Sequence, residues 1–194
     1  MKAVLFDAYG TLASITDPRR PYRQVINEAR RRGTELPGDV ASHVMASPLT
    51  LSELASQLHV PTEALHHAER DLETEVASIT LYPETLATLE ALQARGLKLG
   101  VCSNLAAPYA APLLKVLPPL DAYLWSFEVG AIKPQPQIFE AACQALGCSP
   151  VEVLMVGDSL QADVDGARAA GLHAAWLTRE GDHGDLQSLD ELLQ

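Results

Sequence analysis

The stretch KAVLFDAYGTL, residues 2–12, decides the fold of this chain. Its first five residues, KAVLF, form a short apolar run with β-formers, which predicts a buried strand. Asp7 closes the run and Gly10-Thr11 break it, so the predicted strand ends at a carboxylate. The sheet therefore begins at residue 2, and the residues just after Phe6 lie at the end of a strand.

Beyond about residue 83 the sequence alternates between helical and strand-like segments. Further strands are predicted in LKLGVCSN (97–104), AYLWSFEVG (122–130), VEVLMVGD (151–158) and HAAWLT (173–178). The helical patterns are PETLATLEALQARG (83–96), PQIFEAACQALG (136–147), ADVDGARAAG (162–171) and a terminal LQSLDELLQ (186–194). This alternation predicts an α/β fold, in which helices cover both faces of a parallel sheet.

Residues 14–80 have a different texture, with helical patterns and no predicted strand. The helical stretches are YRQVINEARRRG (22–33), LTLSELASQL (49–58) and PTEALHHAERDLETEVASI (61–79). Because the sheet has already begun at residue 2, this block is predicted to be a small helical domain inserted after the first strand. The predicted domains are a core of residues 1–13 and 81–194 and a helical cap of residues 14–80.

The composition limits the partners of the protein. Lys and Arg number 14 against 25 Asp and Glu, giving a net charge of −11 that disfavours nucleic acid and anionic lipid. No apolar run approaches the roughly 18 residues of a membrane span, and the amino terminus does not resemble a signal peptide. An odd count of three cysteines fits free thiols in a reducing cytoplasm. We expect a cytoplasmic protein, monomeric or homodimeric, with a small anionic substrate.

Polar residues follow four of the predicted strands, and the carboxyl ends of parallel strands share one edge of the sheet. They are Asp7, Tyr9, Thr11, Ser103, Asn104, Lys133, Asp158 and Asp163. Asp7 and Asp158 would repel each other unless a cation lies between them, and Mg²⁺ prefers such oxygen ligands. An aspartate beside a metal and a lysine can act as a covalent nucleophile. Each residue also has an ordinary structural role, such as a helix cap for Asp7, but four strand ends in order favour a shared site.

These residues resemble the motifs of the haloacid dehalogenase superfamily. FDAYGTL (6–12) is similar to its first motif, VCSN (101–104) to its second, AIKPQPQIF (131–139) to its third and VGDSLQADVDGARAAG (156–171) to its fourth. The resemblance implies a Rossmann-like core with a helical cap. It implies Asp7 as nucleophile, Lys133 as its charge partner and Ser103 as a donor to the transferring group. It also implies Mg²⁺ held by Asp7, the carbonyl of Tyr9 and Asp158, with Asp163 in support, while Tyr9, Thr11 and Asn104 would contact the substrate.

Tyr9 departs from this pattern, because the family's phosphatases carry a second aspartate there as general acid and base. Tyrosine has an ordinary pKa near 10 and replaces that aspartate poorly. DAYGTL is similar to the L-2-haloacid dehalogenases, whose halide leaves without a proton. The fourth motif favours a metal-dependent phosphatase instead, and Phe139 stands where the dehalogenases have tyrosine. Arg23, Arg30, Arg31 and Arg32 lie in the region that supplies the dehalogenases' halide-binding arginine.

The resulting hypothesis is a Mg²⁺-dependent hydrolase that acts on a small phosphorylated metabolite. A metal-free 2-haloacid dehalogenase is the first alternative, and a binding protein that has lost catalysis is the second. Residues 49–72 also resemble a DNA-binding helix-turn-helix, but the second helix carries five acids against one arginine between residues 62 and 75. A DNA-recognition helix needs the opposite charge, so this pattern is better explained by two packed cap helices.

Overall fold

The computed structural model describes residues 1–36, 38–181 and 183–194. Its main sheet has five parallel strands in the order β5-β4-β1-β6-β7. The strands are β1 (Ala3–Phe6), β4 (Lys98–Ser103), β5 (Ala122–Trp125), β6 (Val153–Gly157) and β7 (His173–Trp176). The predicted parallel α/β fold is confirmed, and β1 lies at the centre of the sheet.

Helices pack on both faces of this sheet. Those of the core are α5 (Thr85–Ala94), α6 (Ala110–Val116), α7 (Ser126–Val129), α8 (Pro136–Leu146) and α9 (Gly166–Ala169). One apolar cluster joins Leu89 and Leu113 to β1 residues such as Phe6, and the other joins Phe139 and Leu146 to Leu5. Successive residues of β1 therefore enter opposite cores, which explains why the strand is apolar throughout.

Among the described residues, four helices lie between the two segments of the core, and we call them the insert. They are α1 (Pro21–Arg31), α2 (Val40–Met45), α3 (Leu51–Gln57) and α4 (Thr62–Ala77). A separate apolar cluster holds them together, built around Val25, Ala29, Leu54 and Ala68. Thr50 and Glu53 form a capping box at the start of α3, which satisfies the first free amides of that helix.

The prediction of no strand between residues 14 and 80 is wrong at both ends of that block. A short antiparallel pair, β2 (Ala13–Ile15) and β3 (Ile79–Leu81), joins the insert to the core. Each strand has only three residues, too few to show an alternating pattern in the sequence. The chain therefore enters and leaves the insert side by side.

Three other segments differ from their predicted form. The strand predicted over 122–130 ends at Trp125, because Ser126–Val129 form a helical turn that stops at Gly130. The helix predicted over 162–171 starts earlier, with a π-helical turn at Leu160–Asp165 before α9. The terminal helix is a 3-10 turn, Leu189–Leu193. Within the described residues no helix has the length and apolar character of a membrane span.

Candidate active site

Two neighbouring strands end in the carboxylates that the sequence singles out. Asp7 follows β1, and its amide donates to the carbonyl of Val156 in β6 at 2.9 Å. Asp158 follows β6, and Asp163 lies in the π-helical turn after it. The three carboxylates each offer an oxygen within 4.8 Å of the others. The structure thus brings these residues together at the carboxyl edge of the sheet.

Lys133 joins these acids from the loop before α8, and we call Asp7, Lys133, Asp158 and Asp163 the lysine–carboxylate cluster. The Lys133 side chain is buried, and Nζ donates to Asp7 Oδ1 at 2.7 Å, Asp163 Oδ1 at 2.6 Å and the Cys102 carbonyl at 2.7 Å. These bonds use all three ammonium protons. Burial lowers the lysine pKa, but the charges of Asp7 and Asp163 outweigh it and raise the pKa above its ordinary value.

Asp163 is held from two directions inside the cluster. Its Oδ1 accepts from Lys133, and its Oδ2 accepts from the Ser159 amide at 2.9 Å. Burial is the largest cause that raises the pKa of this carboxyl, and the charge of Asp7 adds to it. A Cβ at Gly157 would overlap the Asp163 side chain, so only glycine fits there. Asp163 is therefore one of the three acceptors that orient the Lys133 ammonium.

Asp158 is the exposed member of the cluster. Partial burial, followed by the charges of Asp7 and Asp163, raises its pKa to about 6. A Cβ at Gly10 would overlap the Asp158 carboxylate, and Gly10 has a φ of +90°, which other residues rarely adopt. The loop after Asp7 therefore needs glycine both for its turn and for the close approach of Asp158.

The other predicted residues occupy different places around the cluster. Ser103 is buried at the end of β4. The Asn104 amide is paired with the Lys133 backbone, donating to its carbonyl at 2.9 Å and accepting from its amide at 2.7 Å. In this structure Asn104 positions the lysine loop. Thr11 is fully buried, and its Oγ1 has no hydrogen-bond partner among the described residues. The substrate contacts predicted for Asn104 and Thr11 stay predictions.

The Tyr9 hydroxyl forms a hydrogen bond inside the protein, at the position where the family's phosphatases have an aspartate as general acid and base. The hydroxyl donates to the Tyr109 carbonyl at 3.0 Å, and the two rings meet edge to face with centroids 6.1 Å apart. Burial, and then the nearby charges of Asp7 and Glu75, raise the pKa of the Tyr9 phenol above its ordinary value. Tyr9 is therefore a neutral group whose proton is already donated to a carbonyl.

A cavity of about 550 Å³ lies between the insert and the core, and we call it the insert cavity. Its lining includes Tyr9 and Asn104 but neither Asp7 nor Asp158. Much of the wall is apolar, formed by Ile15, Ile26, Val40, Val44, Met45 and Leu105. The cavity therefore lies beside the lysine–carboxylate cluster, and none of the four cluster residues is part of its lining.

Glu75, which sequence reasoning missed, is a buried carboxylate in the wall of the insert cavity. It accepts from the amides of Arg19 and Arg20 and from the Tyr109 hydroxyl. Its position two helical turns after Ala68, on the buried face of α4, is the signal that could have identified it. Glu75 joins α4 to the start of α1 and to the core.

Arg179 was also missed, because it follows β7 outside the four motifs. Its guanidinium donates to the carbonyl of Thr11 at 2.6 Å and that of Gly10 at 3.1 Å, and it pairs with Glu84 at 2.6 Å. It also stacks over the Tyr82 ring at 3.4 Å. These contacts fix the backbone of the loop that follows Asp7.

The donor set of the cluster fits a hard divalent cation. Three carboxylates share one lysine, so the cluster is short of positive charge when all are ionised. The Tyr9 carbonyl accepts no backbone hydrogen bond within the described residues. Carboxylate and carbonyl oxygens are the ligands that Mg²⁺ takes in proteins.

Similar proteins were found by sequence. Phosphatase MT3486 of Mycobacterium tuberculosis (strain CDC 1551 / Oshkosh) is 32% identical over 211 aligned positions, which cover 100% of this chain and 97% of that protein. Phosphoglycolate phosphatase of Escherichia coli (strain K12) is 35% identical over 116 positions, covering 57% of this chain and 45% of that protein. The similarity to the second protein is therefore partial on both sides.

Solved structures with a similar fold include a phosphatase and a haloacid dehalogenase. A HAD phosphatase from Thermococcus onnurineus has a TM-score of 0.69 and 30% identity, covering 99% of this chain and 96% of that one. A 2-haloacid dehalogenase from Pseudomonas syringae pv. Tomato DC3000 has a TM-score of 0.68 and 21% identity, covering 100% and 96%. A HAD family enzyme of Bacteroides thetaiotaomicron, in complex with magnesium and inorganic phosphate, has a TM-score of 0.70 and 17% identity, covering 94% and 97%. The last two likenesses concern the fold alone.

The family itself is shown by a match over most of the chain. The family model described as haloacid dehalogenase-like hydrolase matches residues 1–171, which include all four motifs. The full-length relative and the confirmed fold agree with this match. This chain belongs to the haloacid dehalogenase-like hydrolases.

Proposed function

We propose that this hydrolase is a Mg²⁺-dependent phosphatase that acts on a small phosphorylated metabolite. The observation that carries the proposal is the bonding of Lys133 to both Asp7 and Asp163, with Asp158 beside them. Three acids around one lysine favour a divalent cation and, with it, an anionic substrate. The phosphatase names of the relatives support the same reaction.

Asp7 is the proposed nucleophile. One of its oxygens accepts from the Lys133 ammonium at 2.7 Å, which fixes the direction of the carboxylate. An Asp7 oxygen attacks phosphorus, the bond to the leaving oxygen breaks, and an aspartyl phosphate forms on Asp7. Water then hydrolyses this acyl phosphate, which releases phosphate and restores the Asp7 carboxylate. Mg²⁺ held by Asp7, Asp158 and the Tyr9 carbonyl, with Asp163 in support, would stabilise the charge on the phosphoryl oxygens.

Tyr9 limits which substrates react quickly. Its proton is donated to the Tyr109 carbonyl, so it is a poor acid for an alcohol that leaves as an alkoxide. General acid help is worth about 10²–10⁴ in rate, so its loss slows ordinary alkyl esters most. We therefore expect acyl or aryl phosphates, whose leaving groups need no proton, to be the better substrates.

The second candidate is a metal-free 2-haloacid dehalogenase, and Tyr9 is the observation that favours it. Displacement of halide from carbon by Asp7 needs no proton donor at position 9. The three clustered carboxylates argue against it, because their repulsion without a cation serves no purpose in that reaction. The two candidates differ in product and in metal requirement, so one experiment separates them.

The test measures phosphate release from acetyl phosphate and 4-nitrophenyl phosphate, with Mg²⁺ and with EDTA. Asp7→Asn removes the nucleophile, and we expect turnover to fall by about 10³-fold or more. Asp190→Asn, the same change at an exposed position, should retain wild-type rates. Acid quenching and mass spectrometry would locate the phosphoryl group on Asp7.

Two outcomes would contradict the proposal. Full turnover by Asp7→Asn would remove Asp7 from the reaction. Halide release from 2-chloropropionate in EDTA, with no phosphate release from acetyl phosphate or 4-nitrophenyl phosphate, would favour the dehalogenase.

A further inference from the structure

The insert cavity lies next to the proposed reaction centre. Tyr9 lies two residues after Asp7, and Asn104 is bonded through both ends of its amide to the Lys133 backbone. Both residues line the cavity. The cavity is therefore within reach of a group attached to a phosphoryl at Asp7, and its volume of about 550 Å³ is within the range of small-molecule pockets.

The tyrosines of the cavity present rings rather than free hydroxyls. Tyr9 donates to the Tyr109 carbonyl, Tyr109 donates to Glu75 at 2.6 Å, and Tyr22 donates to the Leu49 carbonyl at 3.1 Å. Each hydroxyl proton is thus already used inside the protein. Burial raises the pKa of all three phenols, so they stay neutral.

The charged groups of the cavity wall are either bonded internally or lie at its exposed side. Glu75 accepts from two backbone amides and a tyrosine hydroxyl. Asp39 caps α2 by accepting from Ser42. Arg23 and Arg30 are exposed residues of α1. The interior therefore offers a ligand mainly aliphatic and aromatic surface.

We propose that the substrate carries an apolar body, an aliphatic chain or aromatic ring of several carbons, which fills the insert cavity while its phosphoryl group lies at Asp7. This inference rests on the proposed phosphatase function and narrows its substrate class. A short polar acid, such as phosphoglycolate, leaves the apolar wall in contact with water and forgoes the gain from burying carbon.

The experiment measures binding of n-alkylphosphonates from ethyl to octyl by calorimetry in the presence of Mg²⁺. The C–P bond is not hydrolysed, so binding is read without turnover. We expect the dissociation constant to fall by up to about fourfold for each added methylene until the cavity is full. Phosphonoacetate, which is short and polar, should bind more weakly than butylphosphonate.

A matched pair of variants locates the chain in the insert cavity. Ala41→Trp adds an indole at an exposed residue of the cavity wall in α2, and it should flatten the dependence on chain length. Ala77→Trp makes the same change at an exposed residue of α4 outside the cavity lining, and it should retain the dependence. Thermal midpoints near that of the wild type establish that both variants fold.

The inference is overturned by wild-type affinities that do not vary with chain length, by no binding of any member, or by an unchanged length dependence in Ala41→Trp. Phosphate release from acetyl phosphate and 4-nitrophenyl phosphate is measured in parallel. Phosphate release with flat phosphonate affinities refutes the apolar body alone. A length dependence with no phosphate release refutes the phosphatase reaction and supports the apolar preference.

Discussion

The lysine–carboxylate cluster and the insert cavity meet at Tyr9 and differ in the chemistry of their side chains. In the cluster, charged groups from separate strand ends bond one another, as Lys133 bonds Asp7 and Asp163. In the cavity, polar groups are turned into the protein and leave mainly carbon surface. The first arrangement fixes a reaction, because charge and direction are specified. The second selects by size and polarity, because apolar contacts have little direction.

The largest expected effect is at the centre of the cluster. Lys133→Met removes a buried cation and leaves Asp7 and Asp163 without their partner, which destabilises the fold by about 3–5 kcal/mol. The lost stability should partly return as pH falls toward 5, because the Asp163 carboxyl, whose pKa is already raised by burial, can then take up a proton. Urea unfolding at pH 7.5 and pH 5 measures both effects.

Lys115→Met is the matched control for that change, because Lys115 is exposed on α6. Its unfolding free energy should stay within about 0.5 kcal/mol of the wild type. A Lys133→Met protein as stable as the Lys115 variant at pH 7.5 would contradict the view that charge holds the cluster together.

A smaller effect is expected where the cavity meets the core. Tyr109→Phe keeps the ring but removes the hydrogen bond to the buried Glu75 carboxylate, and a bond to a charged group contributes about 1.5–3 kcal/mol. Tyr22→Phe removes a bond to a neutral carbonyl in the same cavity and should destabilise by about 0.5–1.5 kcal/mol. Urea unfolding measures the free energy of unfolding of both variants. Equal losses would show that the hydrogen bond to Glu75 is no stronger than the bond to a neutral carbonyl.

The smallest effect tests the cation. With a dissociation constant near a millimolar, about 10 mM Mg²⁺ stabilises the protein by about 1.4 kcal/mol and raises the thermal midpoint by about 3–6 °C. Asp158→Asn should abolish this shift, while Asp190→Asn should keep it. If Mg²⁺ does not change the wild-type thermal midpoint, or if the same shift is seen in Asp158→Asn, the cluster does not bind the metal. Either result would favour the metal-free alternative.

The same contrast explains what the sequence could predict. The parallel sheet was predictable because its strands are apolar runs with long separations, and the meeting of Asp7, Lys133, Asp158 and Asp163 followed from strand ends sharing an edge. β2 and β3 were missed because three residues show no period. Lys133 was predicted as a charge beside Asp7, but its bond to Asp163 depends on side-chain direction, which spacing does not give.

The insert cavity lay further beyond sequence reasoning. Its wall combines α1, α2, α4 and the loop after β4, and its apolar residues are of the same types that fill any core. The use of the Tyr9 hydroxyl by Tyr109 joins positions 100 residues apart, and no local pattern marks it. Whether a tyrosine donates to a ligand or to its own protein is decided only by packing.

The short antiparallel pair of β2 and β3 is the junction between the insert and the core. Ala13 lies opposite Leu81 and Ile15 opposite Ile79, so the chain leaves the core and returns to it at the same place. Everything between can be lengthened, exchanged or reshaped while the strand that carries Asp7 keeps its neighbours. A change within the insert can therefore alter the wall of the insert cavity without altering the strand ends that carry the lysine–carboxylate cluster.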